Sequence, residues 1–131
     1  MAMTAAGAGV TGCASRGPQL AAAAPPTVVC GTVLSDSAAG AVVFDATRRL
    51  PVMKYLTVGD VLMFRVSRGC DEGAHVSWVP SSAAHLVRAA RARDGLTAAV
   101  VLKPNGPGAS FRLTGTRNGM VVASVTVKLA S

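Results

Sequence analysis

Short runs in which apolar and polar residues alternate are the feature that most restricts the fold of this chain. In the last run, Val121, Ala123, Val125, Val127 and Leu129 are predicted to face inward, with Ser124, Thr126 and Lys128 facing outward. Residues 62–66 alternate in the same way and open the stretch that carries the only tryptophan, Trp78. A side-chain period of two is that of a β-strand with one buried face. The pattern therefore predicts strands over most of the chain.

Turn residues divide these runs into short segments. Gly59-Asp60, Asp94-Gly95 and Asn118-Gly119 are each typical of a turn, and the last two are two-residue hairpin signals. Short strands with turns at near-regular spacing are typical of a sandwich or barrel, and one polar face per strand favours antiparallel pairing. We predict an all-β fold for residues 27–131: an antiparallel β-sandwich of about seven to eight strands in one domain.

One segment, residues 83–93, is ambiguous between helix and strand. Its alanines and arginines favour a helix by propensity, and several of its residues fit one helical face. Leu86 and Val87 followed by the turn at Asp94-Gly95 instead fit one strand of a hairpin. We predict the strand, because the next segment alternates and Asp-Gly is a hairpin signal.

The predicted core contains few large side chains. Half of the residues are hydrophobic but only 4% are aromatic, so valine, alanine and leucine must fill most of the interior. Trp78 is predicted to pack in the sandwich core, since a buried tryptophan often anchors this architecture. An exposed tryptophan that stacks on a sugar is the alternative.

Residues 1–26 are almost all small, unlike the rest of the chain. The tetrapeptide Val10-Thr11-Gly12-Cys13 resembles a bacterial lipobox, in which a short apolar segment ends at a cysteine that becomes lipidated. We predict that residues 1–26 form a signal-like leader, with lipidation at Cys13 and a flexible tether after it. The protein would then be exported, as a membrane lipoprotein or an extracellular protein. A disordered alanine-rich leader with an incidental cysteine is the alternative.

The cysteines fit an exported protein. With Cys13 set apart, Cys30 and Cys70 form an even pair, and an oxidising compartment would permit a disulfide between them. Two unpaired buried cysteines are the alternative. The chain has no Cys-x-x-Cys pair, and His75 and His85 have no partners at ligand spacing. We therefore predict no metal site and no cofactor.

The charge of the chain is basic but dispersed. Thirteen Lys and Arg against six Asp and Glu give a formal charge of +7, which raises non-specific affinity for anionic surfaces. The basic residues form no block of five or six, and a sheet that reads nucleic acid should interleave them with aromatic side chains. Aromatic residues are scarce here, so we do not predict nucleic-acid binding.

The residue patterns of catalysis are missing from the sequence. No Gly-x-Ser-x-Gly motif places a serine at a strained turn. Asp71 and Glu72 are adjacent, and adjacent side chains on a strand point to opposite faces, which disfavours paired acid–base chemistry. Lone histidines such as His75 and His85 are usually surface or hydrogen-bonded residues. We therefore predict that the protein is not an enzyme.

Three short motifs carry a family resemblance. They are Leu56-x-Val58-Gly59-Asp60 before a strand, Val76-Ser77-Trp78 before a Ser-Ser turn, and Gly108-x-x-Phe111-x-Leu113 before a valine-rich strand. With them, residues 56–129 resemble bacterial immunoglobulin-like domains of the group-2 type, and the whole chain looks like a small exported actinobacterial lipoprotein. Cys70 and the arginine-rich residues 83–93 depart from the group-2 pattern. The resemblance implies an immunoglobulin-like sandwich.

A second resemblance rests on the turn Val58-Gly59-Asp60 before a strand. Chagasin-like cysteine-protease inhibitors, which are also immunoglobulin-like, begin a strand after a similar turn. Their inhibitory loop carries an Asn-Pro-Thr-Thr-Gly-Tyr type of motif, whereas residues 68–73, in a comparable place here, read Arg-Gly-Cys-Asp-Glu-Gly. This resemblance implies an inhibitor or partner of another secreted protein as the alternative function.

Our leading prediction is a non-catalytic binding or structural module, secreted or anchored at the cell envelope. Because binding sites favour loops on rigid scaffolds, we expect a binding loop formed by Arg68, Asp71, Glu72 and His75. The expected partner is a cell-envelope component or a secreted protein. A lipid attached to Cys13 would anchor the protein to the membrane. An enzyme is the least favoured class.

Overall fold

The fold was obtained as a computed structural model, which describes residues 27–34 and 42–130. The described residues form ten β-strands and one short 3-10 turn, Ser81–Ala83. The strands are β1 Thr27–Val29, β2 Thr32–Leu34, β3 Val42–Asp45, β4 Met53–Leu56, β5 Leu62–Arg65, β6 Ala74–Val79, β7 Ala84–Arg91, β8 Thr97–Pro104, β9 Ser110–Arg117 and β10 Met120–Leu129. No helix in this part of the chain is long and apolar enough to cross a membrane. Cys13 and the predicted leader lie outside the described residues.

Two four-stranded sheets form a β-sandwich, which confirms the predicted fold class. The first sheet has the order β3-β5-β8-β7 and the second the order β4-β10-β9-β6, while β1 and β2 form a separate hairpin. The ten strands exceed the predicted seven to eight, and one of the additional strands arises because residues 27–34 form a hairpin. Cys30 and Gly31 turn the chain with φ of 50° and 78°, the left-handed pair that a two-residue hairpin turn requires.

Most neighbouring strands are antiparallel, but each sheet has one parallel pair at its edge. β3 runs parallel to β5, and β4 runs parallel to β10. The cause is the path of the chain, which leaves the first sheet after β3, forms β4 in the second sheet and returns as β5. Strands joined in this way are not constrained to be antiparallel, whereas a tight hairpin imposes that direction.

The sheets face each other through small and branched side chains. Phe64 and Val66 on one side meet Gly115 on the other, where an added Cβ would overlap a methyl group of Val66. Phe64 also contacts Phe44 edge-to-face, with ring centroids 6.4 Å apart and an angle of 72° between the rings. Trp78 is half-buried and packs against this core, and its ring N–H donates to the carbonyl of Ser81.

The ambiguous segment is a strand, β7, as the hairpin signal predicted. It pairs with β8 around the turn at Asp94-Gly95, and β9 pairs with β10 around Asn118-Gly119. Cross-strand pairing with an alternating neighbour thus outweighs the helix propensity of alanine and arginine, which is a weak preference.

The inward face of β10 was predicted correctly except at its start. Val125, Val127 and Leu129 are buried, but Val121 is 64% exposed. A bulge causes the difference, because Gly115 pairs with Ala123 and the next residue of β9 pairs with Val121, so one residue of β10 is left over. The bulge carries the start of the strand beyond the core.

Candidate functional site

Several turns meet at one end of the sandwich. β5, β7 and β9 end there, and β6, β8 and β10 begin there, as the pairing registers require. We call this surface the loop platform and define it as residues 66–73, 92–96 and 117–119 with the turn at Cys30 and Gly31. The predicted binding loop is its central segment, residues 66–73.

The first contacts that hold the central loop lie within the loop itself. The buried Ser67 hydroxyl donates to the carbonyl of Gly69 at 2.7 Å and accepts the amide of Gly69 at 3.2 Å and that of Asp71 at 3.4 Å. One buried hydroxyl therefore satisfies several backbone groups of a turn that has no strand partner.

Arg117 joins the central loop to the end of β9. Its Nε donates to the carbonyl of Val66 at 3.2 Å, and its Nη2 lies 2.9 Å from Oδ2 of Asp71. Both side chains of the ion pair are substantially exposed, so the pair mainly orients the loop and adds little to stability. The sequence prediction did not include Arg117.

Two further hairpins are attached to the central loop at Gly73. Its amide donates to Oδ2 of Asp94 at 2.6 Å, and its carbonyl accepts the amide of Asn118 at 3.0 Å. Asp94 also accepts the amide of Leu96 at 3.1 Å. These amide donors, from Leu96 and then Gly73, lower the pKa of Asp94, because they stabilise its ionised form.

The β1–β2 hairpin reaches the same loop through Cys30, whose thiol donates to the carbonyl of Gly69 at 2.7 Å. Burial, followed by interaction with the neighbouring Cys70 side chain and the charge of Asp71, raises the pKa of Cys30 to about 11. Its thiol is therefore protonated at neutral pH and is a weak nucleophile. The structure holds Cys30 and Cys70 as free thiols, so it does not contain the predicted disulfide, although it places the two side chains together.

The structure places three of the four predicted binding-loop residues on the platform and the fourth, His75, on a strand. Asp71 and Glu72 are exposed on the platform, and Arg68 points to its side, where its guanidinium donates to Oγ1 of Thr47 at 3.3 Å. His75 lies on β6 and is half-buried, and its Nδ1 is a buried atom without a hydrogen-bond partner among the described residues. The platform thus brings Arg68, Asp71 and Glu72 into one surface but not His75.

Beside the platform, Asp45 forms a partly buried cluster with Thr47 and Arg65. Oδ1 of Asp45 accepts the amide of Thr47 at 2.9 Å and its hydroxyl at 2.7 Å, and Oδ2 lies 2.7 Å from Nη2 of Arg65. Burial would raise the pKa of Asp45, but the hydrogen bonds from Thr47 and the Arg65 charge outweigh it and lower the pKa to about 2.

We expect the change Asp45→Asn to lower the free energy of unfolding by about 2 kcal/mol at pH 7. The folded-state pKa of Asp45 lies below its ordinary value of 3.8, so its contribution is complete above pH 3.8 and is lost as the pH falls towards 2. Urea unfolding of both proteins between pH 2 and pH 7 would measure this. Asp60→Asn, at a carboxylate that accepts local bonds from Thr57, is the control. A destabilisation that stays constant over this pH range would contradict the prediction.

The loop platform carries acidic and basic side chains and two thiols. Its charged side chains lie on a hydrogen-bonded base, and the half-buried thiol of Cys30 is protonated at neutral pH. Among residues 27–34 and 42–130, no three His, Cys, Asp or Glu residues lie close enough together to hold a metal ion.

The comparisons with known proteins are sparse. No protein-family model matches the chain, and no curated protein matches it. Among solved structures, the crystal structure of the cysteine protease inhibitor EhICP2 from Entamoeba histolytica is similar over 69% of this chain and 93% of that chain, with a TM-score of 0.45 and 13% identity. At this level of similarity the comparison assigns no function and no site residue to this chain.

Proposed function

We propose that the protein is a non-catalytic binding module that holds a partner at the loop platform. The observation that supports this is the attachment of one loop to three separate turns: residues 66–73 are bound to Cys30, Asp94 and Asn118. A loop that is already ordered loses little conformational entropy when it binds, so its exposed side chains can contribute fully to affinity.

The partner in this proposal is a cell-envelope component or a secreted protein. Arg68 and Glu72 are exposed and of opposite charge, and the Asp71–Arg117 ion pair belongs to the same platform. Such a mixed surface fits a polar partner of mixed charge better than a polyanion. Export, and the lipid anchor at Cys13 that would hold the module at a membrane, are part of the same proposal.

The second candidate is inhibition of a papain-type cysteine protease. In the sequence, residues 68–73 occupy a place comparable to the inhibitory loop of chagasin-like proteins. In the fold, the same residues belong to the central and most firmly attached loop of the platform. A pre-ordered, exposed loop is what a protease inhibitor requires, and residues 66–73 meet that requirement.

The test is a charge-neutral double variant, Arg68→Ala with Glu72→Ala, compared with Lys103→Ala at the opposite end of the sandwich. Each protein is titrated against papain activity and sedimented with purified peptidoglycan and arabinogalactan. We expect one of these interactions to be saturable in the natural protein, at least tenfold weaker in the double variant, and unchanged in Lys103→Ala.

Two outcomes would overturn the proposal. Equal binding by the double variant and the natural protein would remove the platform from recognition. Multiple turnover of any ester, glycoside or peptide substrate would show an enzyme instead. Thermal unfolding of each variant verifies that lost binding does not reflect lost folding.

A further inference from the structure

An open groove of about 470 Å³ runs along the outer edge of β3. All four residues of β3 line it, and their side chains alternate between the two faces of the sheet. A groove that touches four consecutive residues of a strand must therefore follow the strand's edge. The groove is also lined by Leu50 and Pro51, on the connection to β4, and by Lys54 on β4 itself. The volume lies within the range of about 300–1,000 Å³ that is usual for ligand sites.

The backbone of β3 is open towards this groove. The amide of Val42 donates to the carbonyl of Val61, just before β5, at 3.0 Å, and that of Ala46 donates to the carbonyl of Arg65 at 2.9 Å. The alternate residues Val43 and Asp45 therefore direct their amides away from β5. Within residues 27–34 and 42–130, β3 is the last strand of its sheet and no strand pairs with this edge. The side chain of Val43 is 51% exposed. These are the features of a sheet edge to which another extended chain can be added.

The groove is strongly basic. Arg48, Arg49, Lys54 and Arg65 line it, and Asp45 is the one acidic residue among its lining residues. Asp45 is already bound to Arg65 and Thr47. In the described part of the chain, the other three cations make no ion pair. The buried Nε of Arg65 also has no hydrogen-bond partner there, so Arg65 has unused donor capacity beside the groove.

The open backbone edge and the basic lining of the groove together favour one class of ligand. A second copy of this chain would bring the same cations to the edge and would be repelled. A sugar or a nucleobase would need an exposed aromatic ring to stack on, and the one aromatic side chain that lines the groove, Phe44, is 4% exposed. An extended acidic peptide would satisfy both the free backbone groups and the cations. We propose that the β3 edge binds an acidic peptide segment of another protein as an added strand.

This site lies beside the loop platform and does not depend on it. It goes beyond the proposed function, since it adds a second recognition surface with a ligand of different chemistry. The platform contributes Arg68, Asp71 and Glu72, none of which lines the groove.

The test uses an acetylated hexapeptide of alternating valine and glutamate at low ionic strength, with NMR of the isotope-labelled protein. We expect the largest amide shifts at Val43 and Asp45. We expect at least fivefold weaker binding to the double variant Arg48→Ala with Lys54→Ala, and less than twofold change for Lys103→Ala. The platform variant Arg68→Ala with Glu72→Ala should bind the hexapeptide normally, which separates this proposal from the one above.

Matched probes decide between strand addition and simple charge attraction. A hexapeptide methylated on alternate amide nitrogens keeps its charge but loses the donors of one edge, so its binding should be lost. Equal binding of the methylated peptide would overturn the proposal. So would binding of a sulfated polysaccharide without binding of the hexapeptide, or the absence of shifts at Val43 and Asp45.

Discussion

Oxidation of Cys30 and Cys70 to a disulfide is expected to raise the free energy of unfolding by about 4 kcal/mol. The bond would close a loop of roughly 40 residues, and the chain-entropy model gives this gain for a loop of that size. The bond would also join the β1–β2 hairpin to the central loop of the platform, where Cys30 already donates to Gly69. Urea unfolding of the oxidised and reduced protein would measure the difference, and intact mass would verify the loss of two hydrogens.

The rate of this oxidation depends on how readily the attacking thiol is ionised. Oxidised glutathione supplies the oxidant, since two protein thiols become one disulfide while it is reduced to two molecules of glutathione. The attacking species is a thiolate, and with a pKa of about 11 the Cys30 thiol is seldom ionised at neutral pH. Attack that starts at Cys30 is therefore expected to accelerate steadily between pH 7 and pH 10.

Two variants distinguish the stability gained from the disulfide from the stability of the hairpin turn that contains Cys30. Cys30 has φ of 50° at the first position of its hairpin turn, a conformation in which asparagine is common. Cys30→Asn should therefore match the reduced natural protein in stability, and Cys70→Ser should do the same. Neither should gain stability from oxidised glutathione. A similar gain in either variant, or a natural protein that keeps its full mass under oxidation, would contradict the prediction.

Local signals in the sequence were sufficient to predict the β7–β8 and β9–β10 hairpins, but not the β1–β2 hairpin or the parallel pairing at the sheet edges. Asn118-Gly119 and Asp94-Gly95 predict their turns because the backbone conformation depends on the turn residues themselves. Cys30-Gly31 was not predicted to be a turn, since cysteine rarely takes the first position. The parallel pairing of β3 with β5 depends on the chain crossing between sheets, which no local pattern records.

The candidate site was predictable only in outline. Arg68, Asp71 and Glu72 follow from their place in a polar loop, and the structure shows them exposed. Arg117 and Asp94 were missed because they reach the loop from 46 and 21 residues away in the sequence, and each is an ordinary charged residue in its own segment. The platform is therefore held together by contacts between segments that are distant in the sequence, and not by a local motif.

Gly73 is the position where a single added methyl group should most disturb the platform. We expect Gly73→Ala to lower the free energy of unfolding by about 3 kcal/mol, from two causes. Gly73 has φ of 74°, which costs any other residue about 1 kcal/mol or more. A Cβ there would also lie 2.9 Å from the backbone nitrogen of Asn118 and would overlap its side chain, and such overpacking typically costs about 1–3 kcal/mol.

Gly106→Ala is the matched control, because it carries the same backbone strain without the overlap. Gly106 has φ of 90°, and nothing lies within 4 Å of its added Cβ. The difference between the two variants in urea unfolding therefore measures the contact between Gly73 and Asn118 alone. Equal losses would mean that Asn118 moves aside at no cost and that the platform is softer than its hydrogen bonds indicate. A larger loss at Gly73 would show that the central loop and the β9–β10 hairpin form one rigid unit, as binding through a pre-ordered surface requires.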